Sequence, residues 1–478
     1  MGLDLFPGGL EPSRLLAVDD VGSRLYGRDL DAACAAISRA MGRERALVFL
    51  LCQNDPGTLL GYLGCLRCGA VPLALSSHIA PALLRELAET YHPGFYCIPK
   101  DLPAETRAVL PNTAPLLELR GSVMIPGGGA ERYPIHPELA LLLTTSGSTG
   151  SPKLVRLSGR NLASNAASIV QYLGLDADER PITTLPLNYS YGMSIVNSHM
   201  LVGAPVLLTA HGVLERGFWN MVRRERATSL AGVPYTYQMF HRLGLTTMEL
   251  PRLRYLTQAG GKLPPELQGE FAAWVAGTGR RFYVMYGQTE AAPRMSYLPP
   301  ERAIEKIGSI GIPIPGGRFR LEDTAGVEIA SPDTTGELIY CGENVAMGYA
   351  RAVADLAKGD EWRGRLATGD MARRDRDGFY YIVGRKKRFV KLYGNRVNMD
   401  EVERLLSARF SGAGFACTGR DDLLCIYTDS RDPTIPEAAQ HYISEETRLS
   451  PRAFRVQVID TIPKNESGKT LYSALLVE

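Results

Sequence analysis

"ELALLLTTSGSTGSPK", Glu138 to Lys153, runs from a short apolar stretch into threonines, serines and glycines that end at Pro152 and Lys153. The apolar part reads as a buried strand, and the small residues after it as the loop at the strand's end. Small residues such as Gly147 and Gly150 let backbone N–H groups come close to phosphate oxygens. The hydroxyls of Thr145, Ser146, Ser148 and Thr149 add donors, and Lys153 adds charge. Glycine–serine loops are also ordinary linkers, but hydroxyls in this density behind an apolar strand favour phosphate binding. The loop is not of the G-x-x-x-x-G-K-[ST] kind, and "SGKT" at Ser467 to Thr470 is not either, because Pro463 stands where the first glycine belongs.

Outward from this loop, the residues from Arg45 to about Leu143 alternate strand-like and helix-like segments, as in "ALVFLLC", "GTLLGYLGCLRCGA" and "VPLAL". Such alternation predicts a layered α/β body around a largely parallel sheet. Strands are expected again in "ITTLPL", "APVLLTA", "SLAGVP", "LRYLTQAGG" and "RFYVMYG", giving one large α/β body over residues 1–383. After Thr368 the style changes. "MARRDRDGFYYIVGR" and "RFVKLYGNRV" read as hairpins. "NMDEVERLLSARF" reads as a helix with Asn398 at its N-cap and Glu401 three residues on. A small, mobile α+β C-terminal domain over residues 389–478 is expected, joined through residues 384–388.

Composition bounds the function. The 478 residues carry 53 Lys+Arg against 51 Asp+Glu, with 45% hydrophobic and 22% charged residues. That is an ordinary globular balance, and it supplies no broad positive surface for nucleic acid. No apolar run approaches the roughly 20 residues a membrane helix needs. "MGLDLF" matches neither a signal peptide nor a myristoylation site, so a cytoplasmic protein is expected. Eight scattered cysteines suit a reducing compartment, and Cys65 and Cys68 sit in an apolar stretch that reads as buried core. The seven histidines form no metal-binding grouping.

Taken in order, "TTSGSTGSPK", "LPLNYSYGM", "AGGKLP", "YGQTE", "GELIYCGENVAMGY", "TGD" at Thr368 to Asp370, "GRKKRFVKLYGNRV" and "PKNESGKTLYSAL" resemble the motif series of the adenylate-forming superfamily. That group includes acyl-CoA synthetases, aryl-CoA ligases, luciferases and the adenylation domains of peptide synthetases, and the resemblance covers nearly the whole chain. It implies an AMP-forming carboxylic acid ligase. A carboxylate attacks ATP to give an acyl adenylate and pyrophosphate, and a thiol of CoA or of a carrier protein's phosphopantetheine then displaces AMP.

The resemblance also implies roles for particular residues. Lys469 would bridge carboxylate and phosphate during adenylation. Glu290 would hold Mg²⁺, a hard cation suited to carboxylate oxygen, and Thr289 would bond the α-phosphate. Tyr286 and Gly287 would lie against adenine, while Asp370 would accept the ribose hydroxyls and Arg385 would assist. Tyr189, Asn188, Gly260 and Gly261 would line the acyl pocket, with Tyr191, Tyr235 and Tyr237 adding aromatic surface. Neutral Asn188 cannot pair with an ammonium group, which argues against an α-amino acid, and an aryl or short unsaturated acid fits a pocket with this aromatic surface. Lys387 would be the hinge. Lys391 and Gly394 would belong to the hairpin that faces the site in the second half-reaction, with Gly394 leaving room for a pantetheine arm.

Three features depart from the family pattern. Leu154 replaces the usual glycine after the loop's lysine, Lys387 stands where many relatives have Asp, and the C-terminal unit is short, which leaves room for a carrier-protein thiol. A closer alternative is transfer of the acyl group to an amine. A catalytically silent adenylate-binding protein would be expected to lack Lys469, Glu290 or Asp370, and all three are present. The basic run "GRKKRFVKLYGN" is then a joint rather than a nucleic-acid patch, because strand alternation sends Phe389, Lys391 and Tyr393 one way and Arg388, Val390 and Leu392 the other. Lys386 and Arg388 alone are expected to be solvated charges, or contacts to an acidic carrier or CoA phosphate.

Overall fold

The computed structural model describes residues 5, 9–42, 45–128, 133–144, 153–386, 388–393, 395–420, 422–464 and 470–475. The chain divides into two compact units. The first contains Met1–Arg318 with Cys341–Leu366, and the second Phe319–Tyr340 with Ala367–Glu478. The strands of residues 319–340 and 367–385 thus group with the C-terminal segment, and the expected joint at 384–388 lies inside the second unit. The reason is local. Asn398 donates to the Val383 carbonyl (2.8 Å), Asp400 accepts from the Arg385 N–H (3.1 Å), and the Lys386 N–H donates to the Gly369 carbonyl (2.7 Å).

All six residues of Leu47–Cys52 are buried, as befits a strand covered on both faces. It lies in the middle of an eight-stranded sheet with the order Tyr349–Ala350, Leu154–Ser158, Leu139–Thr144, Val71–Ser76, Leu47–Cys52, Phe95–Pro99, Ser122–Pro126, Leu117–Leu119. The four strands from Leu139–Thr144 to Phe95–Pro99 run parallel, and the flanking strands are antiparallel to their neighbours. Helix Pro56–Cys68 covers this sheet. Asp55 caps it by accepting from the Thr58 N–H (2.7 Å), Pro56 begins it, and left-handed Gly69 ends it. Cys65 is fully buried and Cys68 partly so, and none of the eight cysteines is in a disulfide.

A second sheet in this unit has the order Ser229–Gly232, Tyr255–Gln258, Arg281–Gly287, Arg294–Leu298, Ile312–Pro313; its first three strands are parallel. "ITTLPL" and "APVLLTA" are not the full strands expected. Pro181 and Ile182 make only isolated bridges, and the second segment contributes Val206–Leu207 alone. The Thr183 hydroxyl accepts from the Thr209 N–H (2.9 Å), so a side chain takes over where a ladder would have continued.

In the second unit, Arg318–Glu322, Gly336–Cys341, Arg365–Arg374 and Tyr380–Arg385 form one sheet, with the expected hairpin turning at Asp377 and Gly378. Phe389–Leu392 pairs with Asn395–Asn398 as the second expected hairpin. Val390 and Leu392 are buried, while Lys391 and Tyr393 are exposed, in keeping with strand alternation. Asn398 caps helix Met399–Arg409 through the Asp400 N–H (2.9 Å), whereas Glu401 pairs with Arg404 instead of closing a reciprocal cap. Phe415–Arg420, Leu423–Thr428 and Phe454–Val458 complete the unit around a core that includes Leu406, Leu424, Ile426 and Ile443.

Arg156, in the strand Leu154–Ser158, is fully buried. Its guanidinium donates to the carbonyls of Met347 (2.9 Å), Tyr349 (3.2 Å) and Gly359 (3.2 Å), and also reaches Lys358 and half-exposed Glu361. Removing the guanidinium leaves buried carbonyls unsatisfied. Arg156→Met is therefore predicted to lose about 3 kcal/mol or more, and Glu361→Gln less than about 1 kcal/mol. Denaturant midpoints of the two variants check this, and equal losses would refute it.

Candidate active site

The parallel strands Tyr255–Gln258 and Arg281–Gly287 are in register, Gln258 opposite Val284, so that their carboxyl ends present "AGG" and "YGQTE" side by side. Ligands of open α/β sheets bind at such ends. Gly260 has φ +84°, and a Cβ there would lie 2.6 Å from the Tyr189 hydroxyl. Glycine is what lets the tyrosine lie against this turn. Buried Gln258 braces the turn by donating to the Gly261 carbonyl (2.8 Å). The structure thus brings together Tyr189 and Gly260, with half-buried Asn188 just ahead of helix Ser190–Leu201.

Behind Tyr189 the wall turns polar. Tyr191 meets it edge-on at 6.3 Å and donates to the Thr257 hydroxyl (2.8 Å). Buried Arg294 lies 4.5 Å over the Tyr191 ring and donates to Ser194 (3.1 Å) and Tyr172 (3.0 Å). Burial pushes the Tyr189 phenol up to about 12, while Arg294 pulls the other way. His199, on the same helix, donates from Nδ1 to the Ile195 carbonyl (2.7 Å), so its Nε2 accepts from the Tyr255 hydroxyl (3.1 Å). Two expectations need correcting. Tyr237 is fully buried against Phe240, Phe271 and Phe282, so it belongs to an aromatic core, and Tyr235 is exposed.

Beyond Arg281–Gly287 the chain closes into the short turn Thr289–Ala291. A Cβ at Gly287 would lie 1.9 Å from the Pro293 carbonyl oxygen, so only glycine fits there. Tyr286 is half-buried beside it, and its hydroxyl accepts from Gln288 (3.4 Å). Thr289 shares a hydrogen bond with Ser190 (3.1 Å). Glu290 accepts the Tyr349 hydroxyl on Oε1 (2.7 Å), and its carbonyl accepts the Ala346 N–H (2.9 Å). The face of the Tyr349 ring carries Lys153, whose Nζ is 3.9 Å from the centroid. Two residues singled out from distant motifs, Lys153 and Glu290, therefore meet on one tyrosine. Sequence reasoning missed Tyr349, Arg294 and His199. Tyr349 ends a quoted motif, but nothing in the chain's order marks it as the meeting point.

In the second unit, Asp370 and Arg385 are opposite one another on paired strands, with Arg385 Nε 3.5 Å from the Asp370 carboxylate; Asp370 is nearly buried and Arg385 exposed. Lys391 is exposed on its hairpin. Arg388 is not the solvated charge expected. It is 9% exposed, pairs with Asp400 (2.8 Å) and Glu403, and lies 3.7 Å over the Tyr472 ring. Lys386 pairs with Glu337 (2.6 Å). The loop residues Thr145, Ser146, Gly147, Ser148, Thr149 and Gly150, together with Lys387, Gly394 and Lys469, lie outside the described residues. Next to Lys469, Lys464 bridges Thr470, and the Leu471 N–H donates to the Pro463 carbonyl (2.8 Å).

The sequence pattern of the AMP-binding enzymes matches residues 11–350. The chain belongs to this family. Among relatives of this AMP-binding enzyme, a feruloyl-CoA synthase of Amycolatopsis sp is 31% identical over 402 residues, covering 82% of this chain and 79% of the relative. An indoleacetate–CoA ligase of Aromatoleum aromaticum is 29% identical over 442 residues, covering 87% and 84%. The o-succinylbenzoate CoA synthetase of Bacillus subtilis, in complex with its acyl-adenylate intermediate, has the same fold. It superposes with a TM-score of 0.79 at 21% identity, covering 98% of this chain and 96% of the other. The AMP-binding enzyme described here is an ATP-dependent, AMP-forming ligase of carboxylic acids.

Burial holds the pKa of His199 down at about 4, with Arg294 adding to the effect. The unfolded value is near 6.5, so as pH falls the unfolded chain takes up this proton first. The contribution of His199 to stability is predicted to be complete above about pH 6.5 and to fall by roughly 3 kcal/mol toward pH 4. Urea midpoints across that range should decline less in His199→Gln than in the wild type; parallel profiles would contradict the assignment.

Proposed function

We propose that this enzyme activates an aryl or short unsaturated carboxylic acid with ATP and passes the acyl group to the thiol of CoA. The observation that carries the proposal is the meeting of Lys153 and Glu290 on Tyr349, which joins the end of the hydroxyl-rich loop to a carboxylate placed for a cation. Aromatic acids in the names of the feruloyl- and indoleacetate-activating relatives, and the tyrosine-rich wall behind Gly260, support the acid class.

In the first half-reaction a carboxylate oxygen attacks the α-phosphorus and pyrophosphate leaves. Both reactants are anionic, so cationic and hydrogen-bonding groups must be placed over the reacting centre. Lys469 supplies the charge that bridges them, Thr289 donates to the α-phosphate, and residues 145–150 with Lys153 hold the remaining phosphates. Tyr286 and Gly287 lie against adenine. Asp370 accepts the ribose hydroxyls, and Arg385, 3.5 Å from that carboxylate across the strand pair, contributes a second contact. Mg²⁺ neutralises phosphate charge when bound. Glu290 fits it, since one carboxylate oxygen accepts from Tyr349 and the carboxylate has a second oxygen for a hard cation.

In the second half-reaction the thiol attacks the acyl carbon, loses its proton, and AMP departs. Residues 384–388, with Lys387 at their centre, act as the hinge: they group with the second unit, and turning about them carries residues 389–478. Lys391 and Gly394 come from the hairpin that then lines the thiol's path. No helix among the described residues is long and apolar enough to cross a membrane. The absence of disulfides supports the cytoplasm as the compartment.

The test is acid-dependent exchange of pyrophosphate into ATP over a panel of carboxylic acids, followed by product masses with CoA, a carrier protein or an amine. Exchange and a CoA thioester are expected. Loading of a carrier protein or amide formation in preference would overturn the acceptor, and no exchange with any acid in folded protein would overturn the activity. Lys469→Ala is predicted to lower adenylation by about a hundredfold or more while sparing conversion of supplied acyl adenylate. Equal loss of both half-reactions would remove the role given to Lys469.

A further inference from the structure

We infer that Tyr349 is a positioning residue of the phosphate and metal site: its hydroxyl orients Glu290 toward Mg²⁺, and its ring seats Lys153. The inference rests on the reading of Glu290 as the metal-holding carboxylate. It assigns a second part of the chain to that task, from a motif otherwise read only as a strand pair.

A glutamate within a short turn has a broad, roughly two-fold terminal torsion and loses that freedom when it binds a cation. Here the cost is met in advance. The Tyr349 hydroxyl holds Oε1 at 2.7 Å, and the Ala346 N–H holds the Glu290 carbonyl at 2.9 Å, so backbone and carboxylate are both anchored from residues 346–349. A phenol has one proton to give, so the carboxylate has Oε2 left for a metal. Outer partners of this kind orient metal-holding ligands.

The ring is held as firmly as the hydroxyl. Tyr349 pairs with Val155 across the antiparallel strands, Arg156 binds the Met347 and Tyr349 carbonyls, and Trp362 packs edge-on against the ring at 4.9 Å and 88°. Lys153, two residues before Val155, lies over the ring face at 3.9 Å. An ammonium over an aromatic face is restrained without losing its charge, whereas a carboxylate partner would neutralise it. One side chain thereby sets the spacing between a cation for phosphate and a carboxylate for the metal that accompanies it.

Tyr349→Phe removes only the hydroxyl, and Tyr349→Leu removes the ring as well. Calorimetry of ATP binding during Mg²⁺ titration, and in EDTA, reads the two functions without turnover. In Tyr349→Phe the Mg²⁺ concentration for half-maximal enhancement of ATP binding is expected to rise about tenfold, with ATP affinity in EDTA within about twofold of wild type. Tyr349→Leu is expected to weaken ATP in EDTA as well, by about threefold or more. Glu290→Gln is the companion variant. If it raises the Mg²⁺ requirement and Tyr349→Phe, folded by thermal melting, does not, the inference about Tyr349 falls and the reading of Glu290 stands. If neither variant shifts it, both fall. Should Tyr349→Phe melt early, Lys153→Gln tests the seat of the ring: unchanged ATP affinity in EDTA would overturn that half.

Discussion

A fully buried guanidinium holds the edge of the eight-stranded sheet together. Arg156 donates to the carbonyls of Met347, Tyr349, Lys358 and Gly359 and pairs with Glu361. A buried cation is tolerated only where its donors are paired, and the carbonyls of the irregular 347–359 segment equally need partners. The two requirements satisfy each other, and the outer strand Tyr349–Ala350 is fastened to Leu154–Ser158 as a result. Lys153, immediately before that strand, and Tyr349, opposite its start, are placed by this one interaction. The position of Glu290 follows from Tyr349.

The surface around Tyr189 and Gly260 is organised by a different constraint. Its wall carries tyrosine hydroxyls, a histidine and an arginine in a region that excludes water, so each polar atom needs a partner. Arg294 is held by one ring and two hydroxyls, and His199 is kept neutral by burial and by that neighbouring charge. The outcome is a rigid aromatic surface at Tyr189, set against a turn that only Gly260 can make.

In the second unit the basic run is partly consumed by structure. Arg388 joins helix Met399–Arg409 through Asp400 and Glu403, and the Tyr472 ring lies beneath it, with the Tyr472 hydroxyl donating to Glu403 (3.0 Å). Arg388 is one residue beyond Lys387 and Tyr472 three residues beyond Lys469 in the chain, so both proposed elements are close in sequence to one buried network. A buried, doubly paired arginine costs desolvation but fixes geometry.

Much of this was legible in the residue order, because periodicity and turn chemistry are local. The buried parallel strands, the two hairpins, the Asn398 cap and the motif series all announce themselves within short windows. The motifs also named Glu290, Asp370, Arg385, Tyr189 and Gly260, and the structure brings Asp370 to Arg385 and Tyr189 to Gly260. Apolar runs that were not strands, such as "ITTLPL", look the same as strands until a hydroxyl such as that of Thr183 competes for the ladder. Tyr237 and Arg388 were misread for a related reason: whether a tyrosine lines a pocket or fills a core, and whether an arginine is solvated or paired, depends on elements far away in the chain. The sequence by itself determined the family and the fold class, through patterns that repeat every two or four residues and motifs in a set order. Only the tertiary structure decided that Tyr349 stands between Lys153 and Glu290, because that contact depends on the register of an edge strand held by a buried arginine, and no local pattern encodes it.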